Sequence, residues 1–64
     1  PTINSELNRS DIKSIIIANF KRAQESSRVL EELFKLHNTT YSENFKYMRY
    51  ELYNLEKQIV LNES

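Results

Sequence analysis

The 64-residue chain contains no cysteine, no glycine and no tryptophan, and its only histidine is His37. Without cysteine it cannot form disulfides, use a thiol as a nucleophile or build a cysteine-based zinc site. Without glycine it cannot form the phosphate-binding loops or the nucleophile elbow, which need a close approach of the backbone. A single histidine does not make a histidine-based metal site, so we expect no metal in this chain.

An excess of charge of one sign and long apolar runs are also missing. Nine basic and nine acidic residues give a formal net charge of zero, whereas nucleic-acid-binding domains normally carry a basic excess. The longest apolar run, residues 15–18, is far shorter than the roughly 20 residues that span a bilayer. We therefore expect neither nucleic acid nor a membrane as a partner, and we expect a cytoplasmic location.

The small size of the chain limits its stability. Below roughly 70–80 residues a single core seldom supplies more than about 3–5 kcal/mol without a disulfide, a metal or a partner. With disulfides and metals excluded, the chain must gain its stability from oligomerisation or from contacts with further polypeptide. The chain begins with Pro1 and not with methionine. We expect it to be processed or to be a piece of a longer protein.

The first predicted helix covers residues 11–36. Residues 1–10 are polar and predict an arm in front of it. From residue 16 onward, apolar and small side chains recur in alternating steps of four and three, which is typical of an amphipathic helix with one apolar seam. Ser10 is the expected N-cap. At the other end Asn38 is the expected left-handed C-cap, since no glycine is available.

The second predicted helix covers residues 40–61. Thr40 and Glu43 have the spacing of a capping box, with Thr40 as the N-cap. Apolar residues again recur in steps of four and three. A connection of about four residues requires the two helices to be antiparallel.

The apolar arc of the first helix predicts an assembly. It spans roughly 200°, whereas a helix that packs against one partner needs nearer 100°. We therefore expect an all-α fold in which an antiparallel two-helix hairpin assembles into a four-helix bundle, from two copies of the chain or from a second hairpin of a longer parent. The residues expected to be buried in that bundle are Ile16, Phe20, Ala23, Leu30 and Phe34.

Polar residues within this arc have two interpretations. Asn19, Arg22 and Ser26 fall among the apolar positions, and each must find a partner if it is buried. They either line a polar pocket at the edge of the core, or Asn19 fixes the register of a dimer while Arg22 extends to solvent.

The charged residues of both helices are equally open to two interpretations. Arg28 lies within one turn of Glu25, Glu31 and Glu32, and these residues form either a salt-bridged solvent face or an anion clamp. On the second helix, Arg49 and Glu56 lie two turns apart on one face. Across the hairpin they are expected to meet Arg22, Glu25 or Arg28 in structural ion pairs.

Residues 15–33, IIIANFKRAQESSRVLEEL, carry a family resemblance. They resemble a helical domain that precedes the barrel in long forms of thiamine-phosphate synthase, and residues 48–56 resemble the second helix of the same domain. The family domain is about twice as long and internally duplicated, and this chain resembles its second half. Family members are linked to phosphorylation of hydroxymethylpyrimidine phosphate. The barrel and the first repeat are absent from this chain.

The resemblance implies a set of substrate-binding residues. An Asn-x-x-Arg-x-x-Glu-x-x-Arg motif of the family falls on residues 19–28 of this chain. In the first hypothesis the arginines hold the phosphates of a small phosphorylated pyrimidine, and Asn19 and Glu25 orient the ring or a metal-bound water. ATP and magnesium would then serve the intact parent and not this piece. The residues implied are Asn19, Arg22, Glu25, Arg28 and Arg49.

The second hypothesis is a non-catalytic helical module that oligomerises, with a second copy of the chain as its partner. The position of the polar residues separates the two hypotheses. Convergence of Asn19 and the arginines on one cavity favours binding, and their separation favours assembly. In either case the 64-residue chain alone is expected to be inactive.

Overall fold

The computed structural model describes residues 8–62, which form two α-helices and no strand. Helix α1 is Arg9–Phe34, with 26 residues, and helix α2 is Thr39–Asn62, with 24 residues. The prediction of an all-α chain with two helices is confirmed. Of the predicted polar arm, residues 1–7 lie outside the described residues. Within residues 8–62, neither helix is long and apolar enough to cross a membrane.

Helix α1 starts at a capping box, two residues before the N-cap predicted at Ser10. The N-cap is Asn8 and not Ser10, which lies inside the helix. The backbone N–H of Asp11 donates to Asn8 Oδ1 at 2.9 Å, and the backbone N–H of Asn8 donates to Asp11 Oδ2 at 3.3 Å. Asn8 succeeds as the cap because an acidic side chain follows three residues later and can return the hydrogen bond.

The connection between the helices also differs from its prediction. Asn38 is not a left-handed C-cap, since no residue in the described range has a positive φ. It caps α2 instead: Asn38 Oδ1 accepts from the backbone N–H of Tyr41 at 3.1 Å, and its carbonyl accepts from Ser42 at 3.0 Å. The N-cap predicted at Thr40 is therefore wrong, because Thr40 already lies in the first turn of α2.

Helices α1 and α2 pack side by side and antiparallel. Glu31, near the end of α1, contacts Ser42 and Arg49 in the first half of α2, whereas Gln24 contacts Glu56 near its end. The Cα trace measures 46 × 24 × 11 Å. Two helices lying side by side form a single layer of secondary structure.

The seam between the two helices is polar where it is most buried. The buried residues of the described range are Gln24, Ser27, Glu31 and Ser42. No apolar side chain in that range is as deeply buried. Of the residues expected to be buried in a bundle, Leu30 is exposed in the hairpin, with 36% of its surface accessible. The remaining four, Ile16, Phe20, Ala23 and Phe34, are half-buried.

An aromatic cluster joins the helices beside the turn. The Phe34 ring stacks on Phe45 at 5.7 Å between centroids, and it meets Tyr41 edge-on at 5.5 Å. His37, in the turn itself, lies 6.1 Å from the same ring. Pairs of this geometry add about 0.5–1.5 kcal/mol each beyond the burial of their area. The cluster therefore stabilises the packing of the start of α2 against the end of α1.

Candidate functional site

Arg49 and Glu31 form an ion pair across the seam. Arg49 Nη2 and Nε donate to Glu31 Oε1 at 2.9 and 3.3 Å, and the side chains are 19% and 11% exposed. The guanidinium carbon also lies 5.2 Å from the centre of the Tyr50 ring. The hydrogen bond to Glu31 raises the pKa of Arg49 above its ordinary value, with a smaller contribution from Tyr53. Arg49 is therefore held by protein groups on two sides.

A second polar contact lies two turns further along α2. Glu56 Oε1 accepts from Gln24 Nε2 at 2.9 Å, and Lys21 Nζ lies 3.2 Å from Glu56 Oε2. The hydrogen bond from Gln24 is the largest cause of the lowered pKa of Glu56, and Lys21 adds to the effect. In the described residues every buried side-chain polar atom has a hydrogen-bond partner.

Arg49 and Glu56 form ion pairs across the hairpin, as predicted, but their partners differ from those expected. Within the described residues, Arg22, Glu25 and Arg28 form no ion pair with either, since the facing stripe of α1 runs through Gln24, Ser27 and Glu31. The spacing of these residues in the sequence could have predicted the observed pairs. Gln24 and Glu31 are seven residues apart, as are Arg49 and Glu56. Antiparallel helices with matched seven-residue spacings place both pairs in register.

Asn19 lies in an open apolar groove on one broad side of the hairpin. The groove has a volume of about 400 Å³ and is lined by Ile15, Ile16, Asn19, Phe20, Ala23 and Leu52. Asn19 Nδ2 donates to the carbonyl of Ile15 at 2.8 Å, within the helix. Its amide oxygen is free to accept a hydrogen bond from a ligand or a partner. Asn19 is thus the one polar side chain that lines an otherwise apolar surface.

Glu25 and Arg28 line a different groove, on the outer surface of α1. This groove has a volume of about 380 Å³ and also includes Val29, Glu32 and Leu33. Arg28 forms no ion pair with Glu31 or Glu32, contrary to one of the two interpretations. The ion pairs between residues 8 and 62 are instead Lys21–Glu56, Glu31–Arg49 and Glu32–Lys35. Arg28 therefore keeps its guanidinium available at the surface.

The hairpin does not gather the five implied binding residues around one cavity. Asn19 lines the apolar groove, Glu25 and Arg28 line the outer groove, and Arg49 is paired in the seam. Arg22 is exposed and lines neither groove. By the criterion of convergence this separation favours assembly over a binding site complete within one hairpin. The role of these residues in substrate binding stays a prediction.

Within residues 8–62, no cluster of three or more His, Asp or Glu side chains could hold a metal ion. The carboxylates of the seam, Glu31 and Glu56, already accept hydrogen bonds from cationic or amide donors.

Comparison with known proteins relates this chain to curated relatives of greater length. It is 44% identical over 57 residues to the thiamine-phosphate synthase of Thermosynechococcus vestitus, covering 89% of this chain and 16% of that protein. It is 44% identical over 55 residues to the thiamine-phosphate synthase of Nostoc punctiforme, with 86% and 16% covered. The chain thus spans about one sixth of these relatives. No solved structure matches it.

The family comparison covers nearly the whole chain. Residues 1–58 match the ThiD2 family. This match includes all of α1 and most of α2, and with them Asn19, Arg22, Glu25, Arg28 and Arg49. The resemblance to a helical domain of thiamine-biosynthesis proteins is confirmed, and the chain belongs to the ThiD2 family.

Proposed function

We propose that this chain is a helical segment of a thiamine-biosynthesis protein and that it contributes part of a binding site for a small phosphorylated pyrimidine. Membership of the ThiD2 family and the similarity to proteins named thiamine-phosphate synthase support the pathway. The observation that carries the binding role is the position of Asn19, whose amide lies in an apolar groove beside Phe20.

The groove at Asn19 suits a flat, neutral heterocycle. Its volume of about 400 Å³ lies within the range of ligand pockets, roughly 300–1,000 Å³. Apolar walls accept the faces of a ring, while the amide oxygen of Asn19 accepts a hydrogen bond from an amino group on its edge. Arg22 follows Asn19 by three residues and therefore neighbours it along α1. In this proposal Arg22 binds a phosphate attached to the ring.

The other implied residues have distinct places in this proposal. Arg28 is a second guanidinium with no ion-pair partner in the described range, and Glu25 neighbours it in the outer groove. Arg49 must exchange Glu31 for a phosphate if it is to bind one. We assign no step involving ATP or magnesium to this hairpin.

The binding role is tested by nuclear magnetic resonance on the isotope-labelled chain. We expect millimolar hydroxymethylpyrimidine phosphate to shift the side-chain amide of Asn19 and the ring of Phe20 more than the signals of α2 beyond Leu52. Arg22→Gln should weaken binding, whereas Lys57→Gln removes an equal charge from an exposed position outside the grooves and should not. Uniform shifts, or equal losses in both variants, would contradict the proposal.

A second candidate function, assembly into a four-helix bundle, is favoured by the exposure of apolar side chains on one layer of helices. In this function the hairpin is a structural module of the longer protein. It does not exclude ligand binding, since a bundle can hold a ligand between its hairpins.

A further inference from the structure

The Glu31–Arg49 ion pair has an unbalanced cation beside it on each helix. Arg28 precedes Glu31 by three residues on α1 and is therefore its neighbour along the helix. Lys46 precedes Arg49 by three residues on α2 and neighbours it in the same way. The ion pairs between residues 8 and 62 involve neither Arg28 nor Lys46. We call Arg28, Lys46 and Arg49 the cationic cluster.

The cationic cluster lies on the opposite broad side of the hairpin from the apolar groove. On a helical wheel of α1, Arg28 and Ala23 are rotated to opposite sides of the buried stripe that faces α2. On a wheel of α2, Lys46 and Leu52 are rotated to opposite sides of Arg49. Ala23 and Leu52 both line the apolar groove. Arg28 and Lys46 therefore share the other broad side.

Glu31 binds Arg49 through a single oxygen. Arg49 Nη2 and Nε both donate to Glu31 Oε1, at 2.9 and 3.3 Å. The stronger arrangement of a guanidinium with an oxyanion has two parallel hydrogen bonds to two different oxygens. A phosphate can supply those two oxygens to Arg49 and still present a third oxygen to a neighbouring cation. The Glu31 carboxylate is therefore a ligand that a phosphate can replace.

We propose that the cationic cluster is a binding site for a phosphoryl oxyanion, and that Glu31 is an internal competitor which the incoming phosphate displaces from Arg49. A phosphate monoester carries a charge of about −1.5 to −2 at pH 7. That charge matches the two positive charges of Arg28 and Lys46 that no ion pair balances. The inference rests on the proposed function for the phosphorylated nature of the ligand, but not on the groove at Asn19.

Internal competition has a consequence opposite to that of a purely structural ion pair. The apparent affinity for phosphate is lowered because only molecules in which Arg49 has left Glu31 are competent to bind. Removing the carboxylate of Glu31 should therefore tighten phosphate binding, about fivefold for a pair of modest strength. If Glu31 only held the two helices together, the same change would loosen the site and weaken binding.

Titration of the isotope-labelled full chain with inorganic phosphate, at constant ionic strength, tests this proposal. The readout is the nuclear magnetic resonance signals of the Arg49 side-chain N–H groups. We expect saturable shifts, and Glu31→Gln should lower the dissociation constant about fivefold. The new amide still accepts a hydrogen bond from Arg49, and circular dichroism checks that the chain stays helical. Glu51→Gln removes the same charge from an exposed position of α2 and should leave the dissociation constant unchanged.

Lys46→Gln tests the site without altering the ion pair. It should weaken phosphate binding about tenfold, because a charge-assisted contact is lost, whereas Lys57→Gln at an exposed position should not. Absence of saturable shifts, weaker or unchanged binding in Glu31→Gln, or equal losses in the two lysine variants would overturn the proposal. The Arg49 signals report on the side of the hairpin away from Asn19, so this experiment and the pyrimidine titration fail separately.

Discussion

Arg49 Nη2 donates to Glu31 Oε1 at 2.9 Å, from the first half of α2 to the last turns of α1. The pair lies in the most buried part of the seam, next to Ser42, whose hydroxyl donates to the Glu31 carbonyl at 2.9 Å. The closest packing between the helices is thus made by hydrogen-bonded polar groups, and most apolar side chains are left for another surface. We expect this polar seam to set the register of the two helices.

The coupling between Glu31 and Arg49 should exceed that of a surface pair. We expect Arg49→Met to lower the melting temperature more than Lys35→Met does. Lys35 pairs with Glu32 at 3.0 Å, but both of those side chains are more than half exposed. Double-mutant cycles on the two pairs measure the difference. Equal coupling energies would show that burial of the Glu31 pair adds nothing.

At acidic pH the stability of the hairpin should depend on the ionisation of Glu56. The pKa of Glu56 is lowered in the folded state, chiefly by the hydrogen bond from Gln24. As pH falls, Glu56 is therefore protonated first in the unfolded chain. Its contribution to stability is fully present above the pKa of the unfolded chain, near 4.5. It is lost as pH falls further through the folded pKa.

Denaturant melts at decreasing pH measure this loss. Glu56→Gln should flatten the pH dependence in that window, and Glu51→Gln, at an exposed position of the same helix, should not. The explanation is wrong if both variants behave alike.

Substitution of Asn38, the N-cap of α2, should lower the free energy of unfolding, whereas substitution of Thr40 should not. Asn38→Ala deletes the oxygen that accepts from the Tyr41 N–H and should cost about 1 kcal/mol of unfolding free energy. Thr40→Ala is the control, because Thr40 is exposed and lies within the helix. Denaturant unfolding of both variants decides between the two caps. A larger loss in Thr40→Ala would restore Thr40 as the cap.

Phe34→Ala should destabilise the hairpin by about 2–3 kcal/mol. A fully buried phenylalanine loses about 3–5 kcal/mol on this change, but Phe34 is only half-buried. The stability is lost because the substitution removes its stacking on Phe45 and its edge contact with Tyr41. Thermal melts followed by circular dichroism provide the measurement, and Leu33→Ala at an exposed neighbouring position should change little. A loss as small as that of Leu33→Ala would show that the ring cluster contributes nothing.

The sequence by itself determined the two helices, their amphipathic character and their antiparallel order. Apolar spacing of three and four residues, the short connection and the absence of glycine and internal proline are local properties, and they act before any long-range contact forms. It also contained residues 15–33 and 48–56, through which the family resemblance was found. The positions of the caps were missed by two residues, since several polar residues at each helix start compete for the same backbone N–H groups.

Only the tertiary structure decided which stripe of α1 meets α2. An apolar arc of roughly 200° admits several rotations of the helix about its axis. Burial of Gln24 and Glu31 becomes favourable only when Glu56 and Arg49 stand opposite them. That rotation separates Asn19 from Arg49 and leaves the apolar groove at Asn19 open. The physical reason is that a polar seam depends on partners more than 10 residues away in sequence, whereas a helix depends on neighbours within one turn.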